Sequence, residues 1–232
     1  KKLIMLFLLM IAGRAFSQDT TYLQEKKSML LVADSMVKSC KAIPERDKQF
    51  YLAMNQKFRE GLDTPNEYQL EFTPVLKGDS SLLGAFELDK FYSKIYSIRI
   101  SLLSSYYNFA RASVFIHELY HLKLAIERSW DPSVPPIYDP IPDEKAAWQL
   151  QYDLVTSYSK KIAKLKVVLD KKEGIKVYVF DKKKGDWCDA IIKDNTIIAL
   201  LKYKAMPNFI EKMLQESKES KQEELGLSTQ QK

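Results

Sequence analysis

The sequence predicts an α+β fold rich in helix, on three observations. Apolar residues recur at three- and four-residue steps through several long stretches, which is the helical period. Between Ile95 and Leu102 they alternate almost strictly with polar ones, which is the period of a half-buried strand. After Gly174, short apolar runs are separated by Lys184-Gly185-Asp186 and Asp194-Asn195, which read as the turns of a small meander. A chain of 232 residues with 46% hydrophobic content can bury a core without staples, and its composition is globular rather than disordered.

Residues 1–17 stand apart. Lys1-Lys2 make a basic start, Leu3 to Ile11 is unbroken apolar sequence, and Ala15-Phe16-Ser17 ends the stretch. That is the order of a secretory signal peptide, and the apolar run is too short to span a bilayer as a helix. Removing it takes away Lys1, Lys2 and Arg14 and no acid, so the formal charge falls from +6 to +3. A charge that small gives little reason to expect a nucleic-acid partner. The chain is therefore expected to be exported, periplasmic or secreted, with no stable membrane span after cleavage. In an oxidising compartment Cys40 and Cys188 could pair; the other reading is two buried free thiols. Their separation excludes a metal-binding cysteine pair.

The mature elements follow in order. Thr21-x-x-Gln24 resembles a capping box and opens a helix to about Lys38, with Leu23, Met29, Leu30, Ala33 and Val37 on one face. Pro44 suits the first position of a second helix to about Arg59, which Gly61 and Pro65 then break. Residues 67–103 read as strands and turns. The serines and arginine on one face of Ile95–Leu102 suit a sheet edge. Ala110 to Arg128 is a helix with Val114, Ile116, Leu119, Leu122 and Ile126 as its apolar positions. The stretch Asp131–Pro142 holds five prolines and is expected to be a stiff loop. Pro142 starts a long helix, with Asp143 and Glu144 in its favourable first turn, ending at Gly174. Ile175–Phe180, Trp187–Ile192 and Thr196–Tyr203 read as strands, and Pro207 as the start of a last short helix. The layout is a signal peptide (1–17), a core domain (18–172), a meander with a helix (173–216) and a charged, disordered tail (217–232).

His117 and His121 are the only histidines. Four residues apart on a helix, they stand one turn apart on one face, so their ring nitrogens can meet one ion at about 2.0–2.1 Å. Glu118 lies about 100° round that helix, where it can take the proton from a water activated by the metal. A catalytic zinc (Zn2+) wants a third protein ligand and one open position. No third histidine exists, so a carboxylate must serve. Glu144 opens the next helix, the proline-rich loop gives that helix room to return, and small Ala147 allows close approach. Asp131 and Asp139 on the loop stay open as alternatives.

These residues resemble the zincin metallopeptidases, and within them the gluzincin-like branch. The resemblance rests on His117-Glu118-Leu119-Tyr120-His121 and on Glu144-x-x-Ala147, and with the preceding strand it spans residues 95–160. It implies a minimal zincin-like core with a small antiparallel sheet. An edge strand would flank the cleft, where an extended peptide could lie, and Ile95–Leu102 fits that role. One zincin subgroup places its third ligand where Glu127 stands, but needs a glycine where this chain has Leu124. The thermolysin-like branch has an aspartate where this chain has Trp148, so the carboxylate that orients a ligand histidine is unassigned. Tyr120, Tyr138 and Tyr152 could donate to an oxyanion, but read first as packing or loop residues. The expected function is a zinc metallopeptidase acting on a peptide or protein substrate, with His117, His121 and Glu144 as ligands and Glu118 as general base. The alternatives are a non-catalytic zinc-containing scaffold of the cell envelope, or an amidase on a non-peptide or cell-wall substrate.

Cleavage is expected between Ser17 and Gln18. N-terminal mapping of the exported protein should return Gln18, and finding Lys1 there would overturn the targeting reading.

Overall fold

A computed structural model describes residues 22–64, 66–73, 84–89, 95–102, 105, 107–128, 140–170 and 174–224. The expected signal peptide, Pro65, loop residues 131–139 with Asp131, Tyr138 and Asp139, and residues 225–232 lie outside the described residues. The fold is α+β. Helices α1 (22–39) and α2 (Glu45–Asp63) precede strands β1 (Tyr68–Thr73), β2 (Gly84–Asp89) and β3 (Ile95–Ser101). Then come α3 (Asn108–Glu127), α4 (Pro140–Tyr158) and a 3-10 turn (Ile162–Lys164). Strands β4 (Lys166–Asp170), β5 (Gly174–Asp181) and β6 (Asp186–Asp189) and helices α5 (Asn195–Ala205) and α6 (Phe209–Glu224) complete the order.

The first two helices form as their apolar spacing predicts. Met29, Leu30, Ala33 and Val37 of α1 are fully buried, and Tyr51 and Phe58 of α2 face them. Gly61 does not break α2, which runs on to Asp63. It lets the chain pass close: a Cβ there would collide with the carbonyl oxygen of Tyr68. Phe58 meets both Tyr68 and Phe115 edge-on, with centroids 5.4 Å apart in each case, and so joins α2, β1 and α3.

The first sheet corrects two expectations. Its order is β1-β3-β2, so Ile95–Ser101 is the middle strand and not an edge. β1 runs parallel to β3, with Tyr68 opposite Tyr96, and β2 runs antiparallel to it, with Gly84 opposite Ile100. The sheet is therefore mixed rather than antiparallel. The polar face that suggested an edge is satisfied inside the sheet. Arg99 donates to Glu71 directly across the ladder at 3.1 Å, and Ser97 and Ser101 are small enough to be buried.

The C-terminal half corrects more. α4 begins at Pro140 rather than Pro142 and ends at Tyr158, not at Gly174. Lys166–Asp170 is a strand, paired antiparallel with β5, so the boundary expected at 172 falls between paired strands. β-Branched Val167 and Val168 favour that state over a helical continuation. The segment expected as a third strand, Thr196–Tyr203, is helix α5. A short apolar run does not distinguish the two by periodicity. Asp194 decides it, because its carboxylate accepts the Ile197 N–H at 3.1 Å as an N-cap. α6 continues to Glu224, so residues 217–224 of the expected disordered tail are helical. Cys40 is buried, Cys188 is half-buried on β6, and both are free thiols. Among the described residues, no helix is long and apolar enough to cross a membrane.

Alanine normally favours a helix over glycine by about 1 kcal/mol. At position 61 the sign should reverse, because the methyl group meets backbone. Gly61→Ala should cost about 1–3 kcal/mol in urea unfolding; a more stable variant would show that the approach to Tyr68 is not a constraint.

Candidate metal centre

α3 is the element on which the site is built. Its face from Ala112 to Leu119 is buried, with Phe115, Ile116 and Leu119 fully enclosed. It packs against β2 and β3, against α2, and against α4 and α5. His117 is buried and His121 half-buried on this rigid helix. α4 returns beside it in the opposite chain sense. Asp143 meets Arg128, Glu144 meets both histidines, and Gln151 donates to Ser113 at 3.2 Å. Ala147, fully buried, allows that approach.

The three expected ligands come together. The Nε2 atoms of His117 and His121 are 3.3 Å apart. Oε2 of Glu144 is 3.5 Å from the first, and Oε1 is 3.3 Å from the second. Among the described residues these three form the one group of side chains arranged to share an ion. Ligands at about 2.0–2.1 Å from a tetrahedral ion are separated by about 3.3–3.4 Å, which the two Nε2 atoms match, while the carboxylate turns a different oxygen to each histidine. Two imidazoles and one carboxylate are a donor set for a first-row divalent metal rather than for calcium or magnesium.

The electrostatics agree with that geometry. Both Nε2 atoms and both carboxylate oxygens face one another, so a shared proton or a metal cation would hold them together. Burial would raise the Glu144 carboxyl, but hydrogen bonds and charge from His117 and His121 hold it well below the usual carboxylate range. Burial opposes the charged form of His121, yet the hydrogen bond to Glu144 and the charges of Glu118, Glu144 and Asp143 raise its pKa above the ordinary value.

The other candidates lie elsewhere. Glu127 stays on α3 and pairs with Lys123 at 3.0 Å, away from the histidines. Tyr152 lies beside Lys204, whose Nζ is 5.3 Å from the ring centroid. Tyr120 meets the His121 ring edge-on, with centroids 6.0 Å apart. Trp148 stands edge-on to His117 with centroids 5.5 Å apart, and both His117 Nδ1 and Trp148 Nε1 are buried without a hydrogen-bond partner. Trp148 thus shields His117 from solvent but does not replace an orienting carboxylate.

No family model matches this chain, and neither does any curated protein or solved structure. What can be said of the site rests on its own residues.

Two features escaped the sequence. Arg128, just past α3, donates to both oxygens of Asp143 at 2.7 and 2.8 Å. This fork ties the end of the histidine helix to the turn that carries Glu144, and nothing in the spacing of an arginine and an aspartate 15 residues apart announces it. Gly84, at the start of β2, lies against Glu118. A glycine inside a strand pattern is a signal of close backbone approach, and it could have been read as one.

Arg128→Ala should weaken metal binding roughly tenfold by loosening the turn before Glu144, whereas Glu127→Ala should leave it unchanged. Competition against a chromophoric chelator measures both; equal affinities in the two variants would remove the clip from the account.

Proposed function

We propose that this chain is a zinc-dependent peptidase in which His117, His121 and Glu144 hold the metal and Glu118 is the general base. The observation that carries this reading is the triangle of two Nε2 atoms, 3.3 Å apart, and the Glu144 carboxylate group, whose Oε2 faces His117 at 3.5 Å and whose Oε1 faces His121 at 3.3 Å. Glu118, the remaining acid of the motif, lies outside that triangle yet close enough for its charge to act on His121.

Zinc bound there would supply Lewis acidity for a carbonyl and a water whose pKa falls to about 7. Glu118, buried but not a ligand, takes the proton of the attacking water and returns it to the leaving nitrogen. Bound metal would take the place of any proton between Glu144 and the imidazoles, and the Glu144 carboxylate would offset part of its charge. Trp148 and the buried face of α3 keep solvent from the inner side of the site. β2 is an edge strand that abuts α3 next to Glu118, and an extended peptide added to such an edge would bring its carbonyls past the base. That role falls to β2, not to Ile95–Leu102. Export remains part of the proposal, on the strength of residues 1–17.

Glu118→Gln should retain zinc and fold while lowering peptide hydrolysis by on the order of 10²–10⁴-fold. Glu144→Ala should instead lose zinc, and with it the stability that bound metal confers. Elemental analysis, thermal melting and digestion of a peptide library, each with and without a chelator, separate the two. A zinc-loaded parent with no activity on any peptide would overturn the peptidase reading, and full zinc occupancy in Glu144→Ala would overturn the ligand assignment.

A further inference from the structure

Glycine at position 84 is placed where a side chain would collide with the base. A Cβ built there would lie 2.6 Å from Val114 Cγ1, 2.8 Å from Glu118 Oε1 and 3.2 Å from Glu118 Cγ. Val114 and Glu118 are four residues apart on α3, so they share one face of that helix, and both are buried. The start of β2 therefore lies flat on the helix face that bears the base, with a hydrogen atom where any other residue would carry a carbon. β2 is held in that position by its antiparallel pairing to β3, Gly84 opposite Ile100, and Ile100 is fully buried in the core.

We propose that Gly84 is a positioning residue for Glu118: its bare backbone forms the wall that fixes where the carboxylate stands relative to His117, His121 and Glu144. The proposal rests on the reading of Glu118 as general base. Its physical content is that an added methyl group has two neighbours of different stiffness. Val114 is β-branched and packed in the core, so it yields only at a cost in stability. The Glu118 carboxylate is the end of a flexible chain, and it yields by rotating away. Displacement of a reacting group by about 1 Å can cost on the order of 10²-fold in rate. A methyl group at position 84 should thus act on stability through Val114 and on chemistry through Glu118.

The two effects are separable. Gly84→Ala should lower stability and reduce kcat about a hundredfold, with KM little changed and zinc still bound. Combining it with Val114→Ala makes room on the stiff side, so Gly84→Ala/Val114→Ala should recover most of the stability but not the rate. Adding Gly84→Ala to Glu118→Gln should cost little further rate, because the group it displaces is already disabled. If the Val114 double variant regains the parent's rate along with its stability, Gly84 is a packing residue only and the proposal fails. A second readout does not need turnover. With cobalt(II) in place of zinc, the visible spectrum changes at a pH that depends on the charge beside the metal. That pH should move in the same direction in Gly84→Ala/Val114→Ala as in Glu118→Gln, and an unmoved value in the glycine variant would overturn the proposal. The cobalt titration still judges Gly84 if the parent cleaves no peptide, in which case the peptidase reading fails separately.

Discussion

Two imidazoles and a carboxylate, gathered at one place inside a folded chain, form the interaction on which the rest of this structure depends. Withdrawing titratable groups from water is unfavourable unless they are paired, and burial makes the cost larger. The chain meets that cost with rigidity. His117 and His121 sit on a helix enclosed by a sheet and by other helices, so they cannot swing apart to solvent. Glu144 is brought in by a second helix, held against the first by Ala147, by the Gln151–Ser113 bond and by the two-pronged Arg128–Asp143 pair.

The division of labour among the elements follows. α3 carries His117, His121 and Glu118, α4 brings Glu144 to the two histidines, and the mixed sheet backs α3 on the side where Glu118 lies. α2 joins β1 of that sheet to α3, through Phe58, Tyr68 and Phe115. Close approach recurs wherever the site needs it. Gly61 admits β1 against α2, Gly84 admits β2 against α3, and Ala147 admits α4. Each is a position where a small residue serves geometry rather than local propensity.

How much of this was legible in the sequence depends on whether the cause was local. The spacing of His117, Glu118 and His121 is a local fact about one helix, and it could be read directly. The approach of Glu144 was legible because the proline-rich loop gives the next helix room to return and Ala147 is small; Asp131 and Asp139, the alternatives, lie outside the described residues. The expected edge strand was misread because the partner that satisfies Arg99 is Glu71, on a strand distant in sequence. Thr196–Tyr203 and Lys166–Asp170 were misassigned because short apolar runs fit either period, and the deciding contacts were long-range. For Asp194, the cap of α5, the second partner is the hydroxyl of Ser105, far back along the chain. The Arg128–Asp143 fork had no signal at all, since it exists only once α3 and α4 are packed.

That bond between Ser105 and Asp194 has a consequence for how the molecule comes apart. Both residues are buried. One immediately precedes the histidine helix and the other opens α5, so the segment that follows the meander is fastened to the root of α3. α6 packs beside α5 on α4, with Phe209 against Trp148 and Ile210 in the main core. The C-terminal helices are thus packed on the helices that carry His117, His121 and Glu144, α5 on both and α6 on α4. They and the His117, His121 and Glu144 cluster therefore share one packed unit, in which opening either end loosens the other. Cleavage within α5 would loosen the seating of those three side chains, and a chain still emerging from the ribosome would lack part of that packing until its last helices had closed.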